Sequence, residues 1–344
     1  MNRVVLIISI WLIASGVFAQ DCERNLQDAR RAYLNGNFNQ VVTLLQSCPA
    51  QLTNSDDQKN AYELLINAHL ITEELRIADS LMNALLTKFP LYTTRSTDLF
   101  EFQQLYESYQ IFRQWSINAF VGFNHANFQV MQQRSYGSIS DSPITYKTSL
   151  RPVLGLDANY YFTPHLYASA GLIFQQSAYT QRESLLRFQY LDISERLTYI
   201  NMPLQIGNAF ERGKFTFLIQ TGMSMHFLAS SKADLALFGR DPDFTTTLTG
   251  LTRTVTDRKL TEQRRGITWN YTIGAGIRRN IGLTSVSLTA QYEYGLRNLA
   301  KASRRYQDEE LLIQYSYVAD DFKMNNLQFR IGLSRHFVKP QKKL

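Results

Sequence analysis

The residue types that could carry redox or metal chemistry are few and widely spaced in this 344-residue chain. It has two cysteines, Cys22 and Cys48, and five histidines, with no CxxC pair and no histidine beside either cysteine. Thiol redox centres and zinc sites need such groups at short spacing, so the pattern favours neither. In an exported chain, we expect Cys22 and Cys48 to form one disulfide.

A second set of side chains has the residue types of hydrolytic chemistry. Ser224 and His226 alternate on one predicted strand, and Asp241 and Asp243 lie in the segment after it. They match no nucleophile motif, and the chain has no glycine-rich phosphate loop, HExxH or EF-hand pattern. The sequence therefore predicts a non-enzymatic protein with no catalytic, cofactor-binding or metal-binding residues.

The first nineteen residues have the pattern of a secretory signal peptide. Arg3 precedes an apolar run over residues 4–17, and Ala19 stands at a small-residue cleavage position. We expect cleavage just after residues 1–19. A retained membrane anchor is the alternative, although the run is shorter than the roughly 20 apolar residues of a membrane helix.

Composition limits the class of the mature protein. Apolar residues make up 44% of the chain and aromatic residues 12%, which excludes a disordered chain. The net charge of +7 is spread thinly, and no lysine- or arginine-dense stretch predicts a nucleic-acid partner. No later segment has the length of a membrane helix, so the exported protein is either soluble or a membrane β-barrel.

Residues 20–112 have the 3.6-residue apolar period of helices. Gly36 separates the first two helices, and an antiparallel arrangement of that pair would bring Cys22 and Cys48 to the same end. We predict a helical domain with helices near 23–34, 38–47, 57–71, 74–88 and 98–112.

Residues 113–338 alternate apolar and polar side chains with a period of two. Each alternating segment is close to the roughly 9–11 residues with which a tilted strand crosses a membrane. A soluble sandwich would show the same alternation. The predicted strands are 115–123, 150–162, 166–174, 198–206, 215–227, 267–277, 283–296 and 327–337.

The lengths of the connections favour a barrel over a sandwich. Three short connections alternate with four long ones, which in an antiparallel ring places all long loops at one rim, as in outer-membrane barrels. The short connections are 163–165, 211–214 and 279–282, and the long ones are 125–149, 176–197, 228–266 and 297–326. The expected fold is α+β and multidomain: helical hairpins, then an eight-stranded antiparallel transmembrane β-barrel, then a short basic tail over 339–344.

Charged side chains on the polar side of these strands are expected inside the barrel. The interior of an eight-stranded barrel is just wide enough to be filled by side chains. Ion pairing as interior filling is one interpretation, and a narrow ion path is the other. The residues concerned are Arg151, Asp157, Glu293 and Arg330.

The third long connection has a basic second half. Arginine suits bidentate contacts to phosphate, so this segment is a candidate for contact with lipopolysaccharide phosphates. A solvated charged loop is the alternative. The basic residues are Arg253, Arg258, Lys259, Arg264 and Arg265.

The helical hairpins resemble tetratricopeptide units. In the first hairpin the matching positions are Ala29, Gly36, Phe38 and Val41, and in the second they are Ala78, Met82 and Pro90. The resemblance implies a groove that binds a protein partner. The alternative is that the hairpins are only a small helical spacer.

The strand residues Tyr199–Gly207 resemble a characteristic strand of the PorT-like outer-membrane β-barrel domain. Three further segments resemble landmarks of that family: Gly274–Gly276, Tyr292–Asn298 and Leu327–Leu333. The resemblance implies placement in the outer membrane of a Gram-negative cell. It does not imply an activity. The alternation of long and short connections, with long loops outside, places the helical domain in the periplasm.

The sequence is compatible with two functions. The barrel could anchor a periplasmic helical module that docks a protein partner in secretion or envelope assembly. Alternatively, it could be a narrow channel or a surface receptor that works through its long outer loops. Outer-membrane lipid is an expected partner in both, and neither requires a cofactor.

Overall fold

The computed structural model describes residues 21–134, 146–185, 189–239 and 251–343. The expected signal peptide, 1–19, lies outside these residues. The chain divides into a helical unit, formed by residues through Arg113 together with those from Val338 onward, and a strand unit over 114–337. Among the described residues, no helix combines the length and the apolar character needed to span a bilayer.

The helical unit has five helices in the described part of the chain. The expected helix over 98–112 is too long, because the helix stops at Glu107 and the first strand starts at Tyr109. The helices are α1 (21–34), α2 (Phe38–Leu45), α3 (Ser55–Ile71), α4 (Leu75–Lys88) and α5 (Phe100–Glu107).

Local chemistry explains where these helices begin and end. Gly36, between α1 and α2, has a φ of +76°, which glycine adopts without steric cost. The Asn54 side chain accepts a hydrogen bond from the Asp56 N–H at 2.9 Å and caps α3. The apolar faces of α1, α2 and α3 form a buried cluster that contains Cys22, Leu45 and Leu65.

The strand unit is built on a ring of eight antiparallel strands. Each ring strand is hydrogen-bonded to its neighbours, and a β4–β5 pairing joins the two ends of the path. The ring strands are β1 (Tyr109–Gln132), β3 (Leu150–Tyr161), β4 (Leu166–Leu185), β5 (Gln189–Arg212), β6 (Phe215–Gly239), β8 (Ile267–Ile281), β9 (Thr284–Gly295) and β10 (Asp321–Lys342). Two short strands lie outside the ring: β2 (Tyr146–Thr148) pairs with β4, and β7 (Leu251–Lys259) pairs with β6.

Short turns join the strands at one end of the ring. Gly213 begins the β5–β6 turn with a φ of +62°, and Gly282 begins the β8–β9 turn with a φ of +63°. Two-residue hairpin turns need this backbone conformation, which glycine supplies. The β3–β4 turn is also short, so the long connections share the opposite end.

Around its middle, the ring has an apolar outer face and a polar inner face. We call this level the belt. On β5, for example, Ile200, Met202, Leu204 and Ile206 are exposed, whereas Asn201 and Gln205 are buried inside. Exposed apolar side chains at the same level of other strands include Val121, Leu156, Leu172, Ile219, Ile273, Leu288, Ile331 and Leu333.

Beyond the belt, on the side of the long connections, the sheet continues and its two faces exchange character. We call this part the extension. On β5, Leu191, Ile193 and Leu197 are buried inside, while Ser194 and Arg196 face outward. The prediction that 125–149, 176–197 and 228–266 are loops is therefore wrong over much of their described length. These segments have the packing of a water-soluble β-sheet, with an apolar interior.

On β6, a β-bulge changes which side chains face the interior. Thr198 of β5 is paired with Ser230 and Tyr199 with Leu228, so Ala229 is the extra residue. Odd-numbered apolar residues of β6, such as Met223, face outward in the belt. After the bulge, the odd-numbered Leu235 faces inward.

A helix covers the core of the extension. Helix α6 (Glu309–Tyr315) lies in the β9–β10 connection, where the Asp308 side chain caps it by accepting from the Leu311 N–H at 3.2 Å. Leu311 and Tyr315 join the buried cluster of the extension strands. The last long connection, expected as a loop over 297–326, thus contains a helix and the start of β10.

The residues expected as a short basic tail, 339–344, are partly in a strand. Strand β10 continues to Lys342, and its last residues belong to the helical unit. Lys342 Nζ lies 2.7 Å from Asp79 Oδ1, and the Lys343 N–H donates to the Ser108 carbonyl at 2.7 Å. The tail is held because an acceptor on α4 pairs with its charge.

Candidate functional site

Inside the belt, one pair of the predicted interior charges comes together. Arg330 on β10 and Glu293 on β9 are buried, with Nη2 and Oε1 4.0 Å apart. The Arg330 Nε also donates to Gln328 Oε1 at 2.9 Å, and the guanidinium stacks on the Phe120 ring at 4.6 Å. The pair is therefore part of a packed polar interior.

This polar interior continues across the ring. The Gln328 Nε2 donates to Gln175 Oε1 at 3.0 Å, and the Asn201 Nδ2 donates to the same oxygen at 2.6 Å. On the other side, Glu293 Oε2 accepts from the Asn326 Nδ2 at 3.1 Å. Side chains from four strands thus bridge the interior.

Of the other two predicted interior charges, Asp157 lines the same small cavity as Arg330. Asp157 accepts hydrogen bonds from Asn118 at 2.9 Å and from Asn159 at 3.0 Å. Arg151 is half-buried at the start of β3, and its Nε has no hydrogen-bond partner among the described residues. Arg330 thus lies near both Glu293 and Asp157, so the structure brings together three of the four charges that the sequence placed inside.

The space left between these side chains is small. A cavity of about 50 Å³ lies between Asn118, Asp157, Gln220 and Arg330. One buried water needs roughly 10–15 Å³ of such space, so this cavity has room for a few water molecules. The interior has the filling expected of an eight-stranded barrel.

The residues considered for hydrolysis do not assemble a nucleophilic site in the described structure. His226 is fully buried, with Nε2 3.6 Å from Glu293 Oε2. Neither its ring nitrogens nor the Ser224 hydroxyl make a hydrogen bond within the described ranges. Asp241 and Asp243 lie outside the described residues. No group of potential metal ligands is found in the part of the chain that the structure covers.

The most tightly bonded charged cluster was not found by the sequence analysis. Arg264 and Glu195 are buried in the extension and form a bidentate pair, with Nε–Oε1 at 2.8 Å and Nη2–Oε2 at 2.5 Å. The Ser231 hydroxyl donates to Glu195 at 2.5 Å, and the Tyr179 hydroxyl donates to its other oxygen. Arg264 also donates to the Tyr317 hydroxyl at 3.0 Å.

The electrostatics of this cluster favour the charged forms of both partners. Burial alone raises the pKa of Glu195, but the Arg264 charge and the three donors offset it, so the pKa lies below its usual value. Burial alone would lower the pKa of Arg264, but Glu195 holds it well above its usual value. Burial also raises the pKa of Tyr317 to about 12. Both side chains therefore stay ionised, and the role of the pair is structural.

Some of the basic residues predicted to contact lipopolysaccharide are buried or paired within the protein, and the others are exposed. Arg264 is buried, and Arg258 makes a bidentate pair with Asp308 at 2.7 Å, so neither side chain is available to lipid. Arg253, Lys259 and Arg265 are exposed. The sequence signal for this cluster is Glu195, a carboxylate on the same strand face as the apolar residues Leu191, Ile193 and Leu197. A carboxylate on a buried face requires a buried cation as its partner.

In the helical unit, Cys22 and Cys48 are joined by a disulfide and are both buried. Large apolar side chains are exposed beside the two hairpin turns. Leu34 precedes the α1–α2 turn and is 84% exposed, whereas Ile71 and Leu75 flank the α3–α4 turn. Leu91 and Phe100, outside these turns, are also exposed.

Comparison with known proteins gives the family. The model of the outer membrane protein beta-barrel domain matches residues 102–301, more than half of the chain. The chain belongs to this family. Membership places the barrel in the outer membrane, and the belt is the membrane-facing part of the ring. No curated protein matches the chain.

Three solved structures of outer-membrane barrels each match about two thirds of the chain. The N-terminal β-barrel domain of Pseudomonas aeruginosa OprF is 9% identical, with 66% of this chain and 100% of that chain covered and a TM-score of 0.30. OprG from the same organism is 10% identical, with 65% and 97% covered and a TM-score of 0.33. Ail, the attachment invasion locus protein of Yersinia pestis, is 11% identical, with 65% and 99% covered and a TM-score of 0.26.

Proposed function

We propose that this protein is a non-enzymatic outer-membrane anchor whose barrel holds a periplasmic, tetratricopeptide-like helical unit that docks a protein partner. The observation that carries the proposal is the filled interior of the belt. Arg330, Gln328, Gln175 and Asn201 bridge it and leave a cavity of about 50 Å³. A barrel without room for a solute acts through what it holds on either side of the membrane.

The surface of the helical unit supports a role in protein binding. Leu34, Ile71 and Leu75 expose apolar area at the two hairpin turns. We propose that they belong to one docking surface, because a contiguous exposed apolar patch on a folded domain is typical of interaction sites. The Cys22–Cys48 disulfide supports an oxidising compartment such as the periplasm. The landmark segments around Tyr199–Gly207 support a place within the PorT-like group, whose strand pattern they resemble.

Site-specific photo-crosslinking in intact cells tests this function. A photoreactive amino acid is placed at Leu34 and, separately, at Leu75, and the adducts are identified by mass spectrometry. The matched controls carry the same amino acid at Thr43 and Asn83, exposed polar positions of α2 and α4. We expect one recurrent envelope protein from Leu34 and Leu75, with at least a severalfold lower yield from the controls.

Two results would contradict the docking function. Equal yields from all four positions would indicate random encounter. Adducts with this chain's own barrel alone would show that the apolar turns are covered internally and that the helices are a spacer.

A further inference from the structure

Three cations lie side by side on the outer face of the extension. Arg196 on β5 is paired in register with Lys232 on β6, and Lys232 is paired with Lys259 on β7. All three side chains are exposed. Directly opposed residues on antiparallel strands have Cβ atoms about 4.5–5.5 Å apart, so the three charges are close neighbours. We call Arg196, Lys232 and Lys259 the basic row.

The basic row follows the edge of the belt closely. The last apolar row of these strands is Ile200, Phe227 and Ile267, which are paired in register across β5, β6 and β8. One polar row, Thr198 and Ser230, comes next, and the basic row follows it. Four residues of a tilted strand separate Ile200 from Arg196, which is on the order of 10 Å of height. That is the depth of a lipid headgroup layer.

The row has too little negative charge around it. Lys232 Nζ lies 3.5 Å from Asp257 Oδ1 in an exposed pair, whereas Arg196 and Lys259 have no ion-pair partner among the described residues. Like charges on directly opposed strand positions destabilise a sheet. Arg151, whose buried Nε is without a hydrogen bond in the described structure, lines a small cavity with Arg196 and Lys232. The carboxylates of Asp234 and Asp257 line the same cavity, as does Glu195, which is paired with Arg264. Asp234 and Asp257 together offset only part of the charge of Arg151 and the basic row, so a net positive charge is left for an anion.

We propose that the basic row binds the phosphate groups of outer-leaflet glycolipid. Phosphate fits because it carries charge that offsets all three cations and oxygens that accept from arginine and lysine together. A lipid supplies it at this height, immediately beyond the acyl chains that cover Ile200 and Phe227. The proposal rests on the proposed orientation, with the helical unit in the periplasm and the extension outside.

The test measures lipid binding by the purified full-length protein in detergent, using native mass spectrometry. The probes are bisphosphorylated lipid A and its dephosphorylated form. The variant is R196Q/K232Q/K259Q. The matched control, R212Q/K214Q/R279Q, removes three exposed cations at the short-turn end and changes the net charge equally.

We expect the wild type and the control to bind bisphosphorylated lipid A about tenfold or more tightly than the dephosphorylated form. The dephosphorylated lipid binds more weakly because it cannot accept the charge-assisted hydrogen bonds that phosphate accepts. In R196Q/K232Q/K259Q the two lipids should bind within about threefold of each other. Equal binding of both lipids by the wild type would overturn the proposal, as would a variant that keeps the preference. Displacement of lipid A by millimolar inorganic phosphate would instead identify a free-phosphate site.

A separate measurement tests the orientation on which the proposal rests. Thr256→Cys places a thiol on β7, to be labelled in intact cells with a membrane-impermeant maleimide. Labelling, as expected, leaves the lipid measurement to decide on the basic row alone. Failure to label in intact cells, with labelling after lysis, would overturn the orientation and the headgroup assignment together.

Discussion

At the scale of single residues, the Arg264–Glu195 pair fixes the core of the extension. Glu195→Gln removes the charge that holds the buried guanidinium, so we expect the free energy of unfolding of the extension to fall by about 3–5 kcal/mol. Protease protection of the extension as a function of denaturant measures it. The matched control is Asp192→Asn, which breaks the exposed Arg182–Asp192 pair and should cost at most about 1 kcal/mol. Equal losses would refute a special role for the buried pair.

The same pair predicts a dependence of stability on pH. Because the pKa of Glu195 is lower in the folded protein than its usual 4.5, its contribution is present above that usual value. The contribution is lost as the pH falls through the lowered folded pKa. Protease protection of the wild-type extension should thus decrease in acid, and Glu195→Gln should show a flatter profile between pH 5 and the acid limit. Parallel profiles would contradict the prediction.

A second residue-scale prediction concerns the disulfide. Cys22→Ser/Cys48→Ser opens a loop with a sequence separation of 26, which should destabilise the helical unit by on the order of 3 kcal/mol. Limited proteolysis of the full-length protein measures the loss. A reductant should reproduce it in the wild type and have no effect on the variant. A wild type that keeps its protection under reduction would exclude the disulfide as a major stabilising feature.

At the scale of elements, the bulge at Ala229 determines which face of β6 is inside. Deleting Ala229 leaves a regular ladder, in which either Leu235 and Leu237 turn outward or the belt residues turn inward. Burial of a leucine side chain contributes about 1.5–3 kcal/mol, so the extension should lose about 3–6 kcal/mol. Ala229→Gly keeps the extra residue and is the matched control. Binding of a dye specific for exposed apolar surface should rise in the deletion variant only.

The belt could be predicted from the sequence, but the extension could not. Lipid and water impose a strict alternation on segments such as Ile200–Ile206, and the predicted strands overlap the observed ones there. In the extension, the apolar residues of β5 still recur at every second position, but they are odd-numbered, as at Leu191 and Ile193, whereas those of the belt are even-numbered. The pattern of one strand does not show that the outer face meets lipid in the belt and water in the extension. On β6 the apolar residues stay odd-numbered across Ala229, so the bulge leaves no mark on the pattern.

Long-range pairing also limited the prediction of the site. Glu195 and Arg264 are far apart in the chain, and the fold of β5 against the segment after β7 brings them together. The helix expected over 98–112 failed for a local reason: Tyr109 has a helical spacing from Leu105 but also begins the period-two pattern of β1. Helical and strand periods coincide over such short stretches.

At the scale of the whole molecule, the filled interior predicts an electrically silent barrel. Full-length protein in a planar bilayer should show no steady single-channel current. Arg330→Gly/Gln328→Gly removes two side chains that bridge the interior and should produce measurable steps in the same assay. Steady current through the wild type would contradict the anchor function and favour the narrow-channel alternative.

The exchange of faces between belt and extension has a consequence for hydrophobic mismatch. Sinking by two rows would bring Arg196 and Lys232 among acyl chains, so the protein cannot settle deeper to match a thicker bilayer. At the other end, the short turns carry the exposed charges Arg212 and Lys214. With both edges fixed by ionised side chains, the surrounding lipid has to thin or thicken around the barrel, and the chain sorts to membrane of matching hydrocarbon thickness.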